Sequence, residues 1–123
     1  MVIVLILLLF TKHFIFDFVY QPPYQWQNKG TYGHWGGLVH ALQHGIATWL
    51  ILAIYIPWYS AALLCALEMA FHYHIDYFKM NINRIYGWKC NTHNEFWILT
   101  GADQYLHALT YIWIVWEVTR VHV

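Results

Sequence analysis

The sequence predicts an all-α protein, a four-span antiparallel up-down transmembrane bundle forming one integral membrane domain over residues 1–123. Three observations predict it. Sixty per cent of the residues are apolar and only 10% are charged, well under the roughly 25% of ordinary soluble chains. Four apolar stretches of about 20 residues, the length a bilayer core requires of a helix, recur along the chain. Each stretch also carries ionisable or imidazole side chains four residues apart, a spacing that puts them on one helix face. The same composition excludes disorder. Six Lys and Arg stand against six Asp and Glu with no basic run, which disfavours nucleic acid as a partner.

The first span covers residues 2–20 and opens on an uninterrupted apolar run from Val2 to Phe10. It lacks the basic head and small-residue cleavage site of a secretory signal, so it is expected to stay as a span. Residues 21–37 form a loop, because Pro22-Pro23 cannot continue a helix and four glycines permit turns. Spans 38–57 and 59–79 meet at Pro57-Trp58, which leaves room for a tight hairpin only. Residues 80–95 form the second long loop, Asn-rich, with Gly87 as the turn residue. Residues 97–118 are the last span. Helices are the expected form because lipid offers the backbone no hydrogen-bond partners.

The two long loops carry Lys29, Lys79, Arg84 and Lys89, and the opposite side has Arg120. That asymmetry puts the loops in the cytoplasm and both termini outside, as in a bacterial inner membrane. The lipid bilayer is the expected partner, and an oligomer is compatible with the sequence.

The polar side chains share both an angle and a depth. The pairs are His13 and Asp17, His40 and His44, His72 and Asp76, and Asp103 and His107, with Glu68 one turn deeper than His72. At about 1.5 Å per residue, all four pairs fall within roughly 15 Å of the loop side. Asp17, His40, Asp76 and Asp103 form an outer layer and His13, His44, His72 and His107 an inner one. Thr100 and Thr110 are expected on the same face of the last span. The similarity of the segments around His13/Asp17 and His72/Asp76 suggests an internal duplication of a helix pair.

Buried carboxylates in lipid are costly, about 2.5–3.5 kcal/mol each near a helix centre, so they must face the bundle interior and find partners. Protonation, histidine pairing and metal binding compete for that role. A divalent metal ion is the favoured compensation, with His13, Asp17, His40, His44, His72, Asp76, Asp103 and His107 as candidate ligands. Mixed imidazole and carboxylate ligands suit zinc, manganese or iron. Two such ions would balance the four acids. Glu68 is the candidate general acid or base, and Lys79 and Arg84 are candidate contacts to an anionic substrate. Lys12, off the His13 face, is expected to pair with a buried acid, His74 to pack outward, and His34 and His93 to be solvated. Cys65 and Cys90 lie at depths too different for a disulfide.

Several of these motifs together resemble a known family. His13-Phe-Ile-Phe-Asp17-Phe-Val-Tyr-Gln21, Lys29, His40, His72-Tyr-His-Ile-Asp76-Tyr-Phe-Lys79 and Asp103-Gln104-Tyr-Leu-His107 are similar to the signature of a small multi-pass membrane family of phages and bacteria, the domain of unknown function 3307. Phe16 stands where that pattern has a small residue. The resemblance implies a membrane protein and no particular activity. A looser likeness, to membrane-bound metal-dependent hydrolases, is an analogy only.

The leading functional expectation is therefore a metal-dependent hydrolase acting on a membrane-associated substrate. The alternative is a non-enzymatic membrane module, either a proton or metal conductor or a small phage protein acting on the envelope, with a structural Asp-His network. Conduction requires a polar line across the whole bilayer, whereas the outer halves of the first two spans are apolar.

Overall fold

The computed structural model describes residues 1–121, and among them it is all helix, turn and loop. Helix α1 is Val2–Phe14 and runs directly into one wider, π-helical turn at Ile15–Val19; α2 is Pro23–Trp26, α3 Trp35–Leu52, α4 Trp58–Tyr86 and α5 Asn94–Val121. α1 has no glycine or proline to break it. Pro23 stands at the first position of α2, where a missing N–H costs nothing. The α3 N-terminus is capped by His34, whose Nδ1 accepts from the Gly36 N–H at 3.0 Å. His34 was expected to be solvated; its loop position in fact makes it a cap.

α4 runs seven residues beyond the expected boundary at 79, since nothing between Met80 and Tyr86 breaks a helix. Gly87 ends it in the left-handed region (φ 66°), with its N–H on the Asn83 carbonyl. The second long loop is accordingly shorter than expected.

α1 packs on α3 and α5, α3 on α4, and α4 on α5, closing a four-helix ring. The neighbours run antiparallel. At one end Asp17 meets His40, His72 meets His40, and His107 meets Asp76. Towards the other end Phe10 packs on Tyr111 and the Trp49 indole donates to the Trp58 carbonyl. That second end is filled by Leu5, Leu9, Leu52, Ile56, Ala61, Ile114 and Val118, all buried. The polar residues occupy the first.

The first loop docks on the polar end. Gly33 donates to the Tyr73 hydroxyl at 2.6 Å, and Asn81 donates to the Gly30 carbonyl at 2.9 Å. Gly36 lies so close to the Tyr24 carbonyl that a Cβ there would collide with it.

Of the four expected spans, one coincides with a helix that is long and apolar enough to cross a membrane, Val2–Val19. The other long helices carry most of the histidines and acids of the polar end, which lowers their apolar character.

Candidate metal centre

The four long helices bring all eight candidate ligands together. Three groups of donor atoms converge: Asp17, His40, His44 and His72; His13, His72 and His107; and Asp76, Asp103 and His107. The inner-layer imidazoles are packed ring against ring, with centroids 3.8 Å apart for His44–His72, 4.2 Å for His72–His107 and 4.9 Å for His13–His107. The i, i+4 spacing on each helix sets the angle. The wider turn at Ile15–Val19 carries Asp17; turns of this kind are frequent at functional sites.

The carboxylates share a pattern. In each, Oδ2 is tied from outside the cluster. Gln104 Nε2 donates to Asp103 Oδ2 at 3.0 Å and to Asp17 Oδ2 at 3.5 Å. Lys29 donates to Asp76 Oδ2 at 3.1 Å, and Lys79 lies 3.6 Å from Asp103 Oδ2. Oδ1 of all three is buried with no hydrogen bond aligned to it. Asp17 Oδ1 is 3.1 Å from Nε2 of both His40 and His44 and 3.7 Å from His72 Nε2. His40 Nε2 and His72 Nε2 are 3.1 Å apart.

Two glutamines fix the state of His40. Its Nδ1 donates to Gln25 Oε1 at 3.3 Å, and Gln25 in turn donates to Gln43. The Gln21 amide nitrogen lies 3.2 Å from His40 Nε2, where only a lone pair can receive it. His40 Nε2 therefore carries a lone pair and no hydrogen, the state a metal-binding imidazole needs, and a metal ion would take that lone pair in place of the Gln21 amide.

His13 and His44 are engaged differently. His13 Nε2 is 2.9 Å from Gln104 Oε1, and its Nδ1 is 2.9 Å from the Tyr111 hydroxyl, so both nitrogens already have partners. Lys12 reaches Glu68 Oε1, His44 Nδ1 and the His44 carbonyl. Three acceptors satisfy the three donors of an ammonium group. An Nδ1 that accepts from Lys12 leaves the ring hydrogen of His44 on Nε2.

The lysines change the charge balance expected from sequence. Glu68 pairs with Lys12, Asp76 with Lys29 and Asp103 with Lys79. With the imidazoles neutral, four carboxylates against three ammonium groups leave one negative charge, on Asp17, whereas the acids taken without the lysines would be balanced by two divalent ions. Burial alone disfavours the charge on Lys29, but Asp76 and then Asp17 outweigh it and hold its pKa above the ordinary 10.5.

Glu68, the expected acid or base, is locked against Lys12 and belongs to none of the three convergent groups. Arg84 bonds Asn81 on the exposed outer side of α4 and does not reach the cluster. Lys79 does. Thr110 bonds the Leu106 carbonyl and faces outward, and Tyr111 takes the inward position expected of it. His74 packs on Tyr32, and Cys65 and Cys90 are free thiols.

Three supporting residues were not identified as such from sequence. Tyr111 continues the spacing of His107 by one further step of four, a signal present in the pattern. Gln25 and Gln104 left no periodic trace, because one comes from the loop and the other from a flank of the helix face.

A protein family described as a protein of unknown function, DUF3307, matches residues 4–123, and the chain belongs to it. No curated protein and no solved structure matches the chain.

Proposed function

We propose that this member of the DUF3307 family is a multi-pass membrane protein whose polar end holds one divalent metal ion and hydrolyses a membrane-associated substrate. The observation that carries the reading is the convergence of Asp17 Oδ1, His40 Nε2 and His72 Nε2, separated by 3.1, 3.7 and 3.1 Å. Ligand bonds of about 2.0–2.1 Å in a tetrahedron put neighbouring donor atoms roughly 3.3 Å apart, so these three span one face of such a shell. Three protein ligands and one open position is the pattern of a catalytic rather than a structural site. Bound there, zinc, manganese or iron supplies Lewis acidity and acidifies water.

The chain's own residues then divide the remaining work. His44, whose ring hydrogen is on Nε2, lies 3.1 Å from Asp17 Oδ1 and is not a ligand. Asp76 Oδ2 lies 3.3 Å from His40 Nε2 and 3.4 Å from His72 Nε2 and is fixed by Lys29, so it stands beside the metal position as an anchored negative charge.

Membrane immersion is supported by an inverted distribution of polarity. Leu7, Phe10, Leu50, Leu63, Phe71, Ile112 and Trp116 are exposed on the outside of the bundle, while His40, His44, Glu68, His72, Asp76 and His107 are buried within it. Water-soluble bundles place these classes the other way round. An exterior of this kind suits lipid, with the long loops and the polar end at the cytoplasmic face of an inner membrane. The apolar packing of the opposite end, built on Leu5, Leu9, Leu52, Ile56, Ile114 and Val118, disfavours the conductor reading for a single chain.

Metal analysis of the full chain, purified in mild detergent, tests the proposal. One equivalent of zinc, manganese or iron per chain is expected, lost in Asp17→Asn and in His72→Ala. A protein that takes up no divalent ion under any loading condition overturns it.

A further inference from the structure

We infer that the mouth of the polar end is a phosphate-binding subsite, and that the substrate of the proposed metal centre is a phosphate ester. The inference deepens the functional reading and rests on it. A cavity of about 250 Å³ opens beside Asp17, between the first loop, the wider turn of α1, α4 and α5. Its polar lining is Asp17, Gln21, Lys29, Lys79, Thr100 and Gln104. A larger groove of about 550 Å³ between α4 and α5 carries no ionisable side chain and stands apart from the chemistry.

Charge and geometry point to an anion in this mouth. With neutral imidazoles, Asp17, Asp76 and Asp103 against Lys29 and Lys79 leave one negative charge. One divalent ion turns that into one positive charge in a poorly hydrated site, which favours a monoanion beside it. Without the ion, the carboxylates repel the same anion. Lys79 is the residue free to respond. Its contact with Asp103 at 3.6 Å is longer than a hydrogen bond, and its side chain keeps 22% of its surface accessible, against 7% for Lys29. A swing away from Asp103 puts an ammonium group on an incoming phosphate oxygen. Lys29 stays on Asp76 and supplies a fixed positive wall. Asp17 lines the cavity, and its buried Oδ1 is a donor atom of the proposed metal position.

The phosphate belongs either to a lipid headgroup at the membrane surface or to a small soluble ester; the chemistry recognised is the same. Inorganic phosphate is the probe. It is titrated calorimetrically into the full chain in phosphatidylcholine nanodiscs, zinc-loaded and after chelation, with zinc content measured on the same samples. Binding to the zinc-loaded protein is expected, at least tenfold weaker after chelation. Lys79→Gln is expected to weaken it about tenfold at unchanged zinc content, and Arg84→Gln to leave it unaltered. Competition by phosphatidic acid added to the nanodiscs assigns a headgroup, and phosphate binding without such competition assigns a soluble ester. A protein that holds zinc but ignores phosphate, or binds it equally with Lys79→Gln, overturns this inference alone. A protein that holds no zinc overturns it together with the metal reading.

Discussion

Replacing Lys12 by Met separates a structural role for Glu68 from a chemical one. Lys12 and Glu68 are 6% and 1% exposed, and the ammonium also serves His44 Nδ1 and the His44 carbonyl. Removing one partner of such a buried pair leaves an uncompensated charge and costs about 3–5 kcal/mol. Removing both and filling the space with apolar groups is close to neutral or better. Lys12→Met should therefore lose about 3–5 kcal/mol, and Lys12→Met with Glu68→Leu should recover most of it. The coupling can be read from a double-mutant cycle of equilibrium unfolding in mixed micelles, at constant detergent composition. The double variant should also retain its divalent ion, because neither residue touches the Asp17, His40 and His72 donors. A double variant no more stable than Lys12→Met, or one that has lost the ion, would refute the assignment of Glu68 to a supporting pair.

Four further outcomes are expected. Gln25→Leu leaves His40 without the acceptor for its Nδ1 hydrogen, and metal affinity should fall about 10- to 100-fold in a chelator competition, with helicity unchanged. Gly36→Ala places a methyl group against the backbone carbonyl of Tyr24 and should cost about 1–3 kcal/mol, visible as faster proteolysis of the first loop. Gly45→Ala collides with the flexible side chain of Met69 and makes only ordinary contact with the Cys65 carbonyl, so it should cost less. The pH dependence of the Lys29–Asp76 contact follows from the raised pKa of Lys29. The stabilisation it gives is fully present below 10.5, the unfolded value, and is lost as pH rises through the higher folded value. Unfolding titrated from pH 7 to pH 12 should thus show an alkaline decline that is reduced in Lys29→Met.

The sequence by itself determined the helical class, the approximate element positions and the identity of the clustered residues. All three are written in local spacing. Steps of four place His13 with Asp17, His40 with His44, His72 with Asp76 and Asp103 with His107. Equal distances from the loops place those four pairs at one depth, and Gly87 marks the turn after α4. The tertiary structure decided how the charges are distributed among partners. Lys12 meets Glu68, and Lys29 meets Asp76, across 56 and 47 residues of chain. No periodicity encodes contacts between different helices, or between a loop and a helix. The same holds for Gln25 and Gln104, which orient His40 and the carboxylates from neighbouring elements. Local pattern selects which side chains face inward. Which of them carry a counter-ion, and which oxygen of each carboxylate remains free, depends on the packing of α1, α3, α4, α5 and the first loop against one another.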